Sequence, residues 1–171
     1  MVGNLVARHQ NTVQRMAAYG MELGNHSWAH ENLAKLSGPA VQESIQKTNR
    51  AIREATGQSA TLVRPPYGSL GGKARPTLAA MGYSATLWDI DTLDWKTKNA
   101  DNTVNVVLSQ VKDGDIVLMH SIYAQSAAAA ERIIPELTRR GYQLVTVSEL
   151  AAARGVKMEP GHSYGSFHKK K

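Results

Sequence analysis

Residues 115–120 read Asp-Ile-Val-Leu-Met-His, a short apolar run that ends on a polar side chain. An amphipathic stretch follows at 126–140 and stops at Gly141, and a second apolar run occupies 143–147. Short aliphatic runs are typical of buried parallel strands, and a glycine directly after an amphipathic stretch is typical of a helix end. This strand–helix–strand order predicts parallel strands that are joined by helical crossovers.

The same alternation continues toward both ends of the chain. Further apolar runs lie at 21–24, 61–64 and 84–90, and further amphipathic stretches lie at 39–56 and 103–110. Residues 146–149, Thr-Val-Ser-Glu, have the pattern of a capping box and predict the start of a last helix. The repeated units predict a parallel α/β fold, and both an open doubly wound sheet and a barrel fit them.

Composition limits the classes of protein that need to be considered. The chain has 171 residues, 42% of them hydrophobic and 20% charged, which fits one globular domain with a core. It has no cysteine, so disulfides and thiolate chemistry are excluded. The formal net charge is +6, part of which lies in Lys169, Lys170 and Lys171, and we interpret that run as a solvated tail. No aromatic ladder accompanies the basic residues, so we expect no nucleic-acid partner.

Neither end of the chain has the pattern of a membrane anchor or a leader. No run of about 18 apolar residues is present, and the first residues lack the basic and apolar regions of a signal peptide. Met1 and Val2 are followed by Gly-Asn, a pattern that we interpret as the end of a strand. We therefore expect the beginning of the domain to be missing from this chain.

Polar residues cluster directly after four of the predicted strands. These clusters are residues 25–30, 64–68, 89–95 and 120–121. The carboxyl ends of parallel strands meet at one edge in both candidate architectures, and ligands bind at that edge. Packing alone does not explain four such clusters, so we expect a functional site there.

His26 and His30 are candidate metal ligands. Their i, i+4 spacing places both imidazoles on one face if the segment is helical, and two ring nitrogens at about 2.0–2.1 Å suit Zn²⁺. Two ligands do not make a site, however, and the same spacing occurs by coincidence. A third ligand, a carboxylate by preference, has to come from elsewhere.

The other three clusters contain groups suited to acyl-transfer chemistry. In residues 64–68, Arg-Pro-Pro-Tyr-Gly, two prolines stiffen the loop so that the Tyr67 N–H can be aimed at an oxyanion, although an ordinary turn has the same pattern. Asp89, Asp91 and Asp94 lie beside Trp95, and such close carboxylates face water, a cation or a histidine, or cap a helix. His120 ends a strand, where it is either a core residue or a general acid held by an Asp.

These motifs, taken together and in this order, resemble those of a known family. His26-Ser-Trp-Ala-His30, the loop 64–68, Asp91-Thr-Leu-Asp94-Trp95 and Leu118-Met-His120 are similar to the motifs of the polysaccharide deacetylases with a NodB-type domain, the family 4 carbohydrate esterases. The surrounding residues are most similar to the peptidoglycan N-acetylglucosamine deacetylases. The resemblance implies an α/β fold, a distorted and incomplete (β/α) barrel, with the first strand and helix missing from this chain. We expect residues 1–150 to form the truncated catalytic domain and 151–171 to form a C-terminal extension with a basic tail.

The resemblance also implies a role for individual residues. His26 and His30 match the two histidine ligands of a divalent metal, zinc in the first place and cobalt as the alternative. Arg64 matches the arginine that pairs with the catalytic base, and Tyr67 matches the residue whose N–H helps to form the oxyanion hole.

The remaining roles fall on the last two motifs. Asp91 matches the carboxylate that holds the catalytic histidine, and His120 matches that histidine. Trp95 and Leu118 match the walls of the pocket for the acetyl methyl group.

The sequence departs from the family pattern in one respect that matters for function. The family's Thr-Phe-Asp-Asp-Gly type motif, which supplies the base and the third metal ligand, precedes the histidine pair, and this chain contains no Asp-Asp pair. We expect metal-dependent N-deacetylation of an aminosugar polymer, at the cell surface or outside the cell, with little activity from this fragment. The alternatives are an O-acetyl esterase acting on xylan and a carbohydrate-binding fragment without catalysis. The missing segment or a second chain is expected to complete the barrel.

Overall fold

The computed structural model of the chain describes residues 1–169. The helices are α1 Gly3–Val6, α2 Gln10–Ala18, α3 Gly38–Thr56, α4 Ala74–Ala80, α5 Asp94–Thr97, α6 Ala100–Gln110, α7 Ala124–Arg139 and α8 Val147–Ala153. The strands are β1 Leu62–Val63, β2 Ser84–Thr86, β3 Ile90–Asp91, β4 Val117–Leu118 and β5 Ser163–Tyr164. Within residues 1–169, no helix is both long and apolar enough to cross a bilayer.

The chain divides into two compact units. The first unit comprises Met1–Leu87 and Val156–Tyr164, and its sheet has the order β1-β2-β5 with both pairs parallel. The second unit comprises Trp88–Gly155 and the segment from Gly165 onward, and it contains the parallel pair β3–β4. Every named strand pair is therefore parallel, as the alternation of strands and helices predicted.

Helix α3 provides the main apolar face of the first unit. It begins at an N-cap in which the Ser37 hydroxyl accepts a hydrogen bond from a backbone N–H, and it ends at Gly57, whose φ of 74° is favoured by glycine. Val41 and Ile45 are fully buried and belong to the same core cluster as Val63 of β1. The helix predicted over 39–56 is confirmed.

The core of the second unit lies between α6 and α7. Val107 of α6 and Ala129 of α7 are fully buried there and belong to one apolar cluster with Ile133 and Leu137. The helices predicted over 103–110 and 126–140 are confirmed, each with a start two or three residues earlier. The predicted capping box is also present, since Thr146 and Glu149 each accept a hydrogen bond from the other's backbone N–H.

Three strand predictions differ from the structure. Residues 143–146 form no strand, because no partner strand among the described residues supplies a ladder for them. Residues 21–24 are also irregular, and pairing starts one residue later, where Asn25 bridges to Val63. Residues 84–90 were predicted as one strand, but β2 pairs in the first unit and β3 begins a different sheet in the second.

Candidate active site

The two histidines of the first motif lie on a loop, not on a helix. Backbone pairing of Asn25 with Val63 fixes the start of the loop, and Ser27 and His30 adopt φ values of 63° and 59°, which no α-helix contains. The loop nevertheless brings the rings of His26 and His30 together, with centroids 4.9 Å apart in a T-shaped arrangement. The predicted proximity of the two imidazoles is confirmed, although the helical reason for it is wrong.

Asn25 holds this loop in place, and the sequence analysis gave it no individual role. Its side chain is fully buried and donates to the Ile45 carbonyl at 2.9 Å and to Asn49 Oδ1 at 2.8 Å. Its Oδ1 accepts a hydrogen bond from the Ser27 N–H at 3.0 Å. The position of Asn25 in the sequence, between the apolar run 21–24 and His26, could have indicated this structural role, since a buried amide needs several hydrogen-bond partners.

We expect Asn25→Ala to lower the free energy of unfolding by at least about 2 kcal/mol, because the Ser27 N–H and the Ile45 carbonyl lose their buried partner. Urea unfolding followed by circular dichroism measures this loss. Asn105→Ala is the matched control, because Asn105 lies exposed on α6, where alanine is a better helix former. Equal stability of the two variants would show that the Asn25 amide does not hold the loop.

The ring of His26 has a fixed tautomer. Its Nδ1 lies 2.5 Å from the Arg64 carbonyl oxygen, which only accepts, so Nδ1 carries the proton and Nε2 keeps its lone pair. Burial lowers the pKa of His26 to about 4 despite the opposing effect of this hydrogen bond. The imidazole is therefore neutral at pH 7, which is the form that binds a metal ion.

Arg64 and Tyr67 lie on the loop that faces these histidines. The Tyr67 hydroxyl is 3.3 Å from His30 Nδ1, and the two rings form a T-shaped contact. Tyr67 has a φ of 60° in the turn Pro66–Gly68, and no described backbone carbonyl accepts a hydrogen bond from its N–H. His26, His30, Arg64 and Tyr67 are called the imidazole cluster below.

The Arg64 side chain is half-buried, and its buried Nε atom lacks a hydrogen-bond partner among residues 1–169. No acidic side chain of those residues lies within 4.0 Å of the guanidinium. Burial lowers the pKa of this group, although an arginine stays protonated in proteins. A half-buried guanidinium with a free Nε–H among the described residues is suited to a carboxylate.

A second cluster lies at the carboxyl ends of β3 and β4. Asp94 is only 2% exposed, and its Oδ1 accepts from His120 Nδ1 at 2.7 Å and from the Trp95 N–H at 2.9 Å. Its Oδ2 accepts from the His120 N–H at 2.7 Å and from the Ser126 hydroxyl at 2.5 Å. Asp94, His120 and Ser126 are called the Asp94 cluster below.

The hydrogen bonds keep Asp94 ionised despite its burial. Burial by itself raises the pKa of the carboxyl, but the hydrogen bonds from Ser126 and His120 outweigh it, so the pKa lies below its ordinary value. A buried carboxylate at Nδ1 fixes the orientation and the tautomer of the His120 imidazole. This arrangement suits a general acid.

The structure gives the role expected of Asp91 to Asp94. The Asp91 carboxylate accepts a hydrogen bond from the Leu93 N–H at 3.0 Å, whereas the ring of His120 is bound by Asp94. The prediction that Asp91 holds His120 is therefore wrong. The chain bends between the two carboxylates at Leu93, whose φ is 52°. As a result, Asp94 and not Asp91 contacts His120, which lies just after β4.

Trp95 and Leu118 occupy different environments. Trp95 is 46% exposed at the start of α5, whereas Leu118 is buried on β4 and its carbonyl accepts a hydrogen bond from the Thr92 hydroxyl. Their predicted contribution to a methyl pocket stays a prediction.

The donors present fit a divalent metal in part. His26 and His30 offer two nitrogens, but they are joined by no third His, Cys, Asp or Glu among residues 1–169, where the one such group of three is Asp89, Asp115 and His168. A catalytic zinc site uses three protein ligands, and the imidazole cluster offers two histidine nitrogens.

The sequence profile named Polysaccharide deacetylase matches residues 1–86 of this chain, half of its length. The chain belongs to the polysaccharide deacetylase family. Among curated relatives, this family member is 43% identical over 150 residues to the peptidoglycan-N-acetylmuramic acid deacetylase PdaC of Bacillus subtilis, covering 88% of the chain. It is 35% identical over 164 residues to the peptidoglycan-N-acetylglucosamine deacetylase PgdA of Listeria monocytogenes, covering 96% of the chain. The chain spans about a third of the length of these two relatives, 32% and 34%.

Solved structures confirm the fold class of this chain. The structure of T48 deacetylase with substrate aligns with a TM-score of 0.89 at 35% identity, covering 95% of this chain and 79% of that one. A family 4 acetyl xylan esterase from Clostridium thermocellum in complex with a cobalt ion aligns with a TM-score of 0.87 at 29% identity, covering 96% and 82%. The α/β fold of the polysaccharide deacetylase type, predicted from the motifs, is confirmed by these matches. The family is metal-dependent, as expected from the histidine pair.

Proposed function

We propose that this polysaccharide deacetylase contributes to the metal-dependent hydrolytic N-deacetylation of an acetylated aminosugar polymer. Peptidoglycan N-acetylglucosamine is the first candidate substrate and chitin-type oligomers are the second. The names of the two curated relatives support peptidoglycan, and family membership supports a hydrolase. Such a substrate places the protein in the bacterial envelope, at the cell surface or outside the cell.

One observation carries the proposal: in three histidines at or near strand ends, Nδ1 is the nitrogen that the protein engages. His26 donates to a carbonyl, His120 donates to the Asp94 carboxylate, and His30 contacts the Tyr67 hydroxyl. In each ring Nε2 therefore remains for a metal or a substrate. A histidine ligand commonly bonds to the protein through its other ring nitrogen, and a general acid needs one nitrogen held while the other faces the substrate.

His26 and His30 would hold the metal, and zinc is our proposal for its identity because two imidazoles suit it, with cobalt as the alternative. A metal bound there would supply Lewis acidity toward the acetyl carbonyl and toward the attacking water. The Tyr67 N–H donates to the oxygen that gains charge when water attacks the carbonyl. His120, held by Asp94, then donates a proton to the amine nitrogen as the C–N bond breaks, so that acetate and a free aminosugar leave.

The reaction also needs a group that takes a proton from the attacking water. The resemblance gives this role to a carboxylate paired with Arg64. The Arg64 Nε has no partner among residues 1–169, which supports a carboxylate there. We propose that this carboxylate, together with the third metal ligand, comes from another segment or from a second chain.

The proposal predicts acetate release from acetylated aminosugars when the chain is combined with a segment bearing an Asp-Asp motif. Acetate and new free amines are measured on peptidoglycan fragments and on N-acetylglucosamine oligomers, with zinc or cobalt added. The 171-residue chain by itself and the segment by itself are the controls. Both are expected to release far less acetate than the combination.

Two outcomes would contradict the proposal. Acetate release from acetyl xylan without release from aminosugars would establish the O-acetyl esterase alternative, which the similarity to the acetyl xylan esterase supports. Binding of the oligomers without acetate release by the combination would establish a carbohydrate-binding module.

A further inference from the structure

The second unit contains another set of metal-type ligands, none of which belongs to the imidazole cluster or the Asp94 cluster. Asp89, Asp115 and His168 each offer one ligand atom, and these atoms all lie within 4.8 Å of one another. His168 Nε2 is 2.6 Å from Asp115 Oδ1 and 3.4 Å from Asp89 Oδ2. One imidazole nitrogen therefore faces two carboxylates.

These three residues lie at the opposite end of the strands from the Asp94 cluster. Asp89 directly precedes β3 and Asp115 lies two residues before β4, so both are at the amino ends of the parallel pair. Catalytic residues of such folds lie at the carboxyl ends, whereas the amino ends serve stability. A ligand site here has a structural role.

The backbone holds His168 opposite the carboxylates. The Phe167 N–H donates to the Gly114 carbonyl at 2.7 Å, and Asp115 forms an antiparallel bridge with Ser166. Gly114 has a φ of 104°, and a Cβ there would lie 2.5 Å from the Phe167 carbonyl oxygen, so only glycine allows this close approach. The C-terminal segment is therefore fixed where its imidazole meets Asp89 and Asp115.

The charges of this cluster favour a cation. The Asp115 side chain is 2% exposed, and two neighbouring carboxylates do not both ionise readily unless a positive charge lies between them. The second oxygen of Asp115 accepts from the Lys112 N–H at 2.7 Å, which leaves Oδ1 directed at His168. An open cavity of about 370 Å³ borders the cluster and gives an ion a route of entry, and its lining includes Asp89, Lys112 and Asp115.

We propose that Asp89, Asp115 and His168 bind one divalent transition-metal ion of the zinc or cobalt type, which ties the C-terminal segment to the β3–β4 pair. In a tetrahedral site with ligand bonds of about 2.0–2.2 Å, ligand atoms lie about 3.4 Å apart. Asp89 and His168 already have this separation, and the contact between His168 and Asp115 has to open by less than about 1 Å. An imidazole nitrogen with two carboxylate oxygens favours zinc or cobalt over calcium and magnesium.

The test uses the full chain with His26→Ala and His30→Ala, so that metal binding by the imidazole cluster does not contribute. Titration with Co²⁺, followed by its visible absorption and by calorimetry, is expected to give one ion per chain and to raise the melting temperature. Adding His168→Ala is expected to weaken binding at least about tenfold and to abolish the rise in melting temperature. His162→Ala is the matched control, because His162 is an exposed histidine paired with Glu159 in the first unit.

Each result decides the proposal. Weak binding in the His168→Ala variant with unchanged binding in the His162→Ala variant supports it. No stoichiometric ion in the starting variant, or equal affinity with and without His168, overturns it. Asp89→Asn is a second ligand variant for the case that loss of His168 unfolds the C-terminal segment, because the Asp89 side chain is 44% exposed. Unchanged cobalt affinity in the Asp89→Asn protein also overturns the proposal.

Discussion

Replacing Asp94 by asparagine is expected to lower kcat for deacetylation roughly 10²–10⁴-fold, the range attributed to a positioned general acid. The Asp94 carboxylate accepts four hydrogen bonds, two of them from His120. An amide offers one acceptor oxygen and one NH₂ donor, so it cannot accept all four. The ring of His120 then loses either its fixed tautomer or its orientation.

The measurement is kcat and KM for acetate release by the combination that carries the Asp-Asp segment, together with nitrogen NMR of the His120 ring. A purely structural role of Asp94 would lower the melting temperature without changing the tautomer of His120. Ser126→Ala removes one of the four hydrogen bonds and is expected to give an intermediate loss of kcat. Asp91→Asn is the decisive comparison. A loss of kcat equal to that of Asp94→Asn would mean that Asp91 also positions His120.

His30→Ala is expected to weaken binding of zinc by the imidazole cluster by at least about 100-fold, because it removes a direct ligand, whereas loss of a residue that only orients a ligand costs about 10–100-fold. Calorimetric titration measures the affinity, and the stoichiometry is expected to fall by one ion per chain. An ion held by Asp89, Asp115 and His168 would remain in this variant. We expect kcat of the His30→Ala variant to fall as well, because the variant loses the metal.

The control for this substitution is His9→Ala. His9 is an exposed histidine in the first unit, and its loss leaves the imidazole cluster intact. Equal zinc affinity of the wild type and the His30→Ala protein would remove His30 from the metal site. Equal losses in His9→Ala and His30→Ala would mean that the titration reports unspecific binding to surface histidines.

Features that depend on local sequence were predictable. The amphipathic stretch that ends at Gly57 predicted α3, and Thr146 with Glu149 predicted the capping box of α8. The polar residues that follow the strands also predicted which segments contact each other. His26 bonds to the Arg64 carbonyl, and His120 bonds to Asp94 of the 89–95 cluster. These predictions succeeded because side-chain period and cap chemistry act over a few residues.

Features that depend on long-range partners were not predictable. Residues 143–146 have the composition of a strand, but pairing requires a neighbour that the composition does not reveal. The choice between Asp91 and Asp94 depends on the left-handed conformation of Leu93, a residue type that rarely adopts it. The same limit explains why Asn25 received no role, because its partners lie 20 and 24 residues further along the chain.

The interrupted course of the first unit has a consequence for how the protein is made. Its sheet is completed by β5, which pairs with β2 through Ala85 and Ser163. Because Trp88–Gly155 of the second unit lies between β2 and β5 in the chain, the ribosome synthesises that segment before β5. At about 5–20 residues per second, the roughly 77 residues between Leu87 and Tyr164 take about 4–15 s to translate. During that interval the edge of β2 lacks its final neighbour, and an unpaired edge invites association with other nascent chains.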